Sequence, residues 1–224
     1  MREIVLDTET TGLRPDKGDK IVEIGCVELI NKVSSGAVFH KYINPGRDIP
    51  EEARAVHGLS EGFLSDKPKF SEIADELLEF LGGSHLIIHN AEFDISFLNA
   101  ELELVNRQRI SINRTTDTIR LARQKFPGSP ASLDALCKRF KIDCSNRKLH
   151  GALLDSQLLA EVYQELIGGR QGGFKLETAQ YSADHTGTPE KKIRRPRKAP
   201  PNADELAAHS AFIGRLKNSL WNQA

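Results

Sequence analysis

The sequence predicts an α/β domain followed by a tail of a different character. Three observations carry that reading. β-rich runs joined by short polar turns fill the stretch up to residue 43. Beyond residue 70, apolar residues recur at helical spacing around one short apolar run at 85–89. After Gly168-Gly169 the composition changes abruptly. The 224 residues suffice for one good-sized domain and something more.

The first strand is the stretch 3–9 (EIVLDTE), apolar and ending in carboxylates; 20–30 (KIVEIGCVELI) and 36–43 (GAVFHKYI) are the second and third. Their short connections point to an antiparallel meander, broken by Asn44-Pro45-Gly46. Pro50 opens a helix. Phe70, Ile73, Ala74, Leu77, Leu78 and Leu81 form a helical face that Gly82-Gly83 stops. HLIIH at 85–89 is a short buried strand, and 91–104 a helix with Phe93, Phe97, Leu98 and Leu102 on one side. A polar stretch, 106–114, leads to 116–119 (TDTI); 132–140 and 149–167 are further helices. The result is a sheet of about five strands with helices packed on it.

The bulk numbers exclude several classes. No run of about 18 apolar residues is present, so no segment spans a membrane. The N-terminus lacks the features of a signal peptide. Three cysteines without CxxC spacing read as reduced thiols of a cytoplasmic protein. With 31 basic and 31 acidic residues, the chain has no broad basic face for gripping nucleic acid. A protein that holds only a few terminal nucleotides needs few phosphate contacts, and bound metal ions add positive charge locally. Residues 177–224 carry eight Lys/Arg and five Asp/Glu, net +3, so residues 1–176 sum to −3. That sign suits carboxylates gathered at a metal site.

Asp7 and Glu9 are two apart on a strand, hence on one face, and Gly12 follows where the backbone can turn tightly. Two carboxylates on one face are half of a site for a hard cation such as Mg²⁺ or Mn²⁺. Asp94 sits where the strand at 85–89 gives way to a helix, in a stretch holding His, Asn, Glu and Asp together. A lone Asp there also complements a helix dipole. His150 and Asp155 are five residues apart, about 500° on a helix, so they do not stack. His150 can then sit in the loop or first turn while Asp155 points inward from the helix body.

DTETTGL, HNAEFD and HGALLD, in this order, resemble the three motifs of the DEDDh exonuclease family over residues 1–167. Within it the likeness is greatest to the proofreading epsilon subunits of bacterial DNA polymerase III, which VHGLS at 56–60 also resembles. The resemblance implies a ribonuclease-H-like fold with a mixed five-stranded sheet. It implies a catalytic set of Asp7, Glu9, Asp94, His150 and Asp155, and a site for two divalent ions. Asp7 would bridge both ions, Glu9 and Asp155 would complete one site, and Asp94 would act on the other through water. His150 is then the general base, its reference pKa of about 6.5 leaving much of it neutral. Glu52 and His57 match positions that contact the terminal nucleotide, Glu52 with Glu51 as a neighbouring alternative. Asp7, Glu9 and Asp155 complete the substrate-binding set. The activity implied is removal of nucleotides from DNA 3′ ends.

The organisation that follows is an exonuclease domain at 1–168, a flexible linker at 169–201 and a partner-binding helix at 202–224. The linker is rich in Pro and basic residues (KKIRRPRK) and poor in large apolar ones. QGGFKL at 171–176 resembles a peptide that docks on a sliding clamp. Asn202 and Glu205 have capping-box spacing. Leu206, Ile213 and Leu220, joined by Phe212, Leu216 and Trp221, form an apolar series that the resemblance assigns to the polymerase alpha subunit. Two other functions use the same sequence: an RNA-trimming exonuclease, since DNA–RNA discrimination rests on 2′-OH contacts, and a catalytically silent scaffold between clamp and polymerase.

Overall fold

A computed structural model describes residues 1–145, 149–168 and 201–215. The chain divides into two units, Met1–Leu176 and Glu177–Ala224, each described here by itself. In the first, β1 (Arg2–Thr10), β2 (Ile21–Ile30) and β3 (Val33–Tyr42) form the antiparallel meander. β4 (His85–Ile88) and β5 (Thr115–Asp117) continue the sheet in parallel from the other side of β1. The order is β3-β2-β1-β4-β5. Since β1, β4 and β5 run the same way, their carboxyl ends share one edge, where α/β sheets gather ligands.

The helices are α1 (Glu51–His57), α2 (Glu61–Leu64), α3 (Phe70–Leu81), α4 (Ala91–Leu104), α5 (Thr118–Lys125), α6 (Leu133–Phe140) and α7 (Ala152–Leu166). Alternation along β1 separates two cores. Ile4 and Leu6 pack with α3 and α4, whereas Val5 packs on the opposite face with α5, α6 and α7. The expected face of α3 is buried through Phe70, Ile73, Ala74, Leu77 and Leu81, and Gly82, with φ 46°, ends it.

One buried charge ties the α7 face together. Glu3 is 1% exposed and accepts from the Lys32 ammonium and from the Tyr163 hydroxyl at 3.1 Å. Lys32 also donates to Tyr163 Oη at 2.8 Å.

Several sequence-based boundaries move. β3 starts at Val33 rather than residue 36, because Asn31 and Lys32 both adopt positive φ (51° and 70°) and form a two-residue hairpin turn. α7 starts at Ala152 rather than residue 149, since Gly151 is extended and His150 lies in the loop before it. α5 was hidden in a polar stretch; Asp117, read with the 116–119 segment, ends β5 and caps the helix by accepting from Ile119 N at 2.8 Å. Gly12 does not serve a positive-φ turn. A β-carbon there would lie 2.3 Å from the Asp19 carboxylate and would displace it from Arg14 N and Arg47. Cys26 and Cys144 are free thiols, the first buried and the second half-buried.

In the second unit, α8 (Ala203–Arg215) carries the expected capping box: Glu205 N donates to Asn202 Oδ1 at 2.8 Å and Asn202 N to Glu205 Oε2 at 2.9 Å. The proposed clamp peptide at 171–176 and Leu216, Leu220 and Trp221 lie outside the described residues. Among the described residues no helix is long and apolar enough to cross a membrane.

Candidate active site

Three distant stretches converge at the carboxyl edge of the sheet. Asp7, Glu9, Asp94, His150 and Asp155 all line one cavity of about 380 Å³, with Thr8, His89, Asn90, Phe93, Ile119, Ser132, Leu133 and Asp134. β1 supplies Asp7 and Glu9 on the α7 face, as the two-residue spacing requires. The turn from β4 into α4 supplies Asp94, with Asn90 held in the left-handed region at φ 72°. Asp117 braces that turn, its Oδ1 accepting from Asn90 N at 3.2 Å. His89 is in turn fixed by Thr118, 2.8 Å from its Nδ1.

The third stretch arrives through close backbone packing. Gly25 of β2 pairs with Asp7 across the ladder. A β-carbon on Gly25 would lie 2.3 Å from both Ala152 C and Leu153 N, so only glycine admits the first turn of α7. Ser156 Oγ then donates to Gly25 O at 2.8 Å. Asp155 is thereby delivered next to Glu9, and His150 stands in the loop just before. His150 N donates to Val56 O of α1 at 3.1 Å, which fixes the loop from the other side.

The site gathers negative charge out of water. Asp94 and Asp155 are each 3% exposed and Glu9 8%. Burial pushes the Asp94 carboxyl up to about 7, against the Thr8 hydroxyl that donates to its Oδ1 at 2.7 Å. The Cys26 thiol is held well above its usual range, first by burial and then by the Asp7 and Asp94 charges. Glu9 also faces Glu23, another buried carboxylate, across β1–β2. Glu23 is matched by His40 Nε2 at 2.7 Å. Such a set asks for added positive charge, and its oxygen donors suit a hard divalent cation. Glu9, His150 and Asp155 can each turn a ligand atom to within 4.8 Å of the others. His150 Nδ1 is 3.3 Å from Asp155 Oδ2, with the imidazole still 46% exposed.

Glu52 and His57 do not line this cavity. Glu52 is exposed in the first turn of α1. His57 is buried, with Nδ1 accepting from Leu59 N at 3.0 Å and, among the described residues, no hydrogen-bond partner for Nε2. Burial lowers its pKa, opposed by Glu23 and the Thr10 backbone. Sequence reading missed Gly25, Asp117 and Asp134. A glycine inside an apolar strand was the one available signal for Gly25.

The profile of the RNase_T exonuclease family matches residues 4–163, a span holding the whole five-residue set. The chain is 52% identical over 227 residues to the DNA polymerase III subunit epsilon of Rickettsia conorii, covering 99% of each chain. It is 44% identical over 235 residues to the same subunit of Escherichia coli K12, covering 98% of this chain and 97% of that one. Among solved structures, exonuclease X in complex with 5′ overhanging duplex DNA aligns at TM-score 0.56 and 27% identity, over 74% of this chain and 91% of that one. The nuclease domain of 3′hExo, a DEDDh family member bound to rAMP, aligns at TM-score 0.62 over the same shares; at 17% identity this is a likeness of fold.

Proposed function

The chain belongs to the RNase_T exonuclease family, and from that premise we propose that it removes nucleotides from DNA 3′ ends as the proofreading subunit of a bacterial replicative polymerase. The observation that carries this reading is the convergence of Asp7, Glu9, Asp94, His150 and Asp155 on one cavity. Asp7, Glu9, Asp94 and Asp155 would hold two divalent ions, Mg²⁺ or Mn²⁺. Bound there, such ions stabilise both the attacking and the leaving oxygen of an in-line displacement at phosphorus.

The protein groups do the rest. Thr8 orients Asp94. His150, at the exposed side of the cavity, takes the proton of the attacking water, and Asp155 orients the imidazole. Glu52 and His57 stand outside the cavity lining and would meet the terminal nucleotide only at its edge, from α1, which the His150–Val56 hydrogen bond ties to the catalytic loop. The tail at 202–224 binds the polymerase alpha subunit and 171–176 the sliding clamp, placing the protein in the cytoplasm with the replication machinery.

The test is digestion of matched single-stranded DNA and RNA, with Mg²⁺ and with a chelator. Mg²⁺-dependent release of nucleotides from DNA 3′ ends is expected, faster on mispaired than on paired primers because a mismatch lowers the unpairing cost. Equal cleavage of RNA would indicate an RNA-trimming enzyme. No cleavage of either would leave a scaffold.

A further inference from the structure

Next to the catalytic cavity lies a much larger cleft of about 1080 Å³. The two share Asn90 and Ile119 in their linings, so they border each other along the start of α4 and α5. Two smaller clefts, one beside β3 and α3 and one around residues 44–49, share no lining residue with the catalytic cavity. At about 380 Å³ the catalytic cavity is near the lower limit for a small-ligand site, room for a terminal nucleotide but not for the strand behind it. A longer strand must leave past the rim, and the large cleft adjoins that rim at Asn90 and Ile119.

The lining of this cleft suits a nucleic-acid strand. Arg120 and Arg123 both reach it from α5 and are exposed. Three apart on a helix, their β-carbons stand about 5–6 Å from one another, close enough to meet neighbouring phosphates of one strand. Other surface arginines are committed to carboxylates: Arg14 to Asp16, Arg107 to Asp75 and Arg109 to Glu103. No hydrogen bond or ion pair engages Arg120 or Arg123 among the described residues. The guanidinium fork matches phosphate oxygens. Ile112, still 48% exposed, with Ile95 and Ile119 gives the same cleft an apolar wall against which bases or sugars can rest. Asn90 and Asn113 add amide groups; of the two carboxylates in the lining, Asp117 accepts from Asn90 N and Ile119 N, and Glu92 is exposed in the first turn of α4.

We propose that this cleft is the binding track for the substrate strand on the 5′ side of the scissile bond, with Arg120 and Arg123 contacting its backbone phosphates. The inference rests on the exonuclease reading above and gives it a direction: the 3′-terminal nucleotide toward α1, the upstream strand toward α5. The contacts are to backbone and apolar surface, so the track is indifferent to sequence.

The experiment compares kcat/KM on a long single-stranded oligodeoxynucleotide with that on a dinucleotide too short to reach α5. In the Arg120→Ala/Arg123→Ala protein the long-to-short ratio should fall several-fold. The salt dependence on the long strand should become shallower by about 1.4 in log–log slope, two single-strand phosphate contacts at about 0.7 each. The Arg120→Lys/Arg123→Lys protein, which keeps both charges, should hold the wild-type slope. An unchanged ratio and slope in the alanine protein would overturn the track. So would a loss seen only on duplex substrates, which would assign the arginines to the complementary strand. Failure of the proposed function is distinct: the wild type itself would cleave neither substrate.

Discussion

Asp7 and Gly25 face each other across the β1–β2 ladder, and the missing side chain at Gly25 is what lets α7 lie against the strand beside Asp7. The contact is backbone to backbone, so a methyl group cannot be accommodated by rotating a side chain. Gly25→Ala should push the first turn of α7 away and move Asp155 and His150 from Asp7 and Glu9. A displacement near 1 Å can cost about 10²-fold in rate, and overpacking costs about 1–3 kcal/mol in stability. Single-turnover cleavage and thermal unfolding on the same protein test this. A stable variant with wild-type rate would show that the placement of α7 does not set the catalytic geometry.

His150 and Asp155 approach to 3.3 Å, and both can reach Glu9. That geometry allows the imidazole to be either a base or a ligand. The base reading expects His150→Ala to lose about 10²–10⁴ in rate, the usual scale of general acid–base catalysis, with divalent-ion affinity retained. Mn²⁺ titration beside single-turnover kinetics separates the two roles. Affinity that falls in step with rate would make His150 a ligand.

Much of this site is legible in the sequence because the motifs are local. Asp7 and Glu9 share a face by strand periodicity alone, and the five-residue spacing of His150 and Asp155 rules out their stacking on one helical face, although the loop position of His150 needed the start of α7 at Ala152. The supports are long-range and less visible. The charge partner of Lys32 is the buried Glu3, 29 residues earlier in the same meander. Asp117 reads as a turn residue until β5 sets it beside Asn90. The chain does bend at Gly12 as expected, but the Asp19 carboxylate that packs against that glycine is a contact only the fold reveals. Helix α5 has too few apolar residues for its period to stand out, and its arginines acquire meaning only from the cleft they line.

The buried carboxylates make activity and stability compete. Glu9 lies opposite Glu23, and both are nearly excluded from water. Glu9→Gln should abolish most cleavage, yet in chelator it should melt no lower than the wild type, because one buried like charge is gone. Asp7→Ala should likewise be inactive and folded. Thermal unfolding with and without Mg²⁺ checks the pair. A wild type more stable in chelator than Glu9→Gln would mean that Glu9 serves the fold.

Lys32 sits in a hairpin turn but answers a charge in the core. Glu3 has one oxygen served by Lys32 and Tyr163, and the other has no hydrogen-bond partner among the described residues. Removing the ammonium leaves a buried carboxylate with one neutral donor. Lys32 is itself 38% exposed, so the loss is screened relative to a fully buried pair. Lys32→Met should cost about 1–3 kcal/mol, the scale of a charge-assisted hydrogen bond, with little change in turnover at saturating substrate. Urea unfolding measures the cost. Unchanged stability would show that Tyr163 alone satisfies Glu3.

The tail prediction follows from the division of the chain at Leu176/Glu177 and from α8. Asn202 and Glu205 close a capping box on a helix of 13 residues, a length at which isolated helices are marginal in water. Leu206 and Ile213, continued in sequence by Leu216, Leu220 and Trp221, give it apolar groups of the kind that anchor a helix in a partner's groove. Residues 169–201 would hold the nuclease near the polymerase at high effective concentration while leaving it free to reorient. Deleting residues 177–224 should therefore leave cleavage of free single-stranded DNA largely unchanged and remove most binding to the polymerase alpha subunit. Both are measured on one truncated protein. If the truncated chain unfolds, the tail is part of the nuclease fold. If it binds the polymerase with full affinity, the contact lies within residues 1–176.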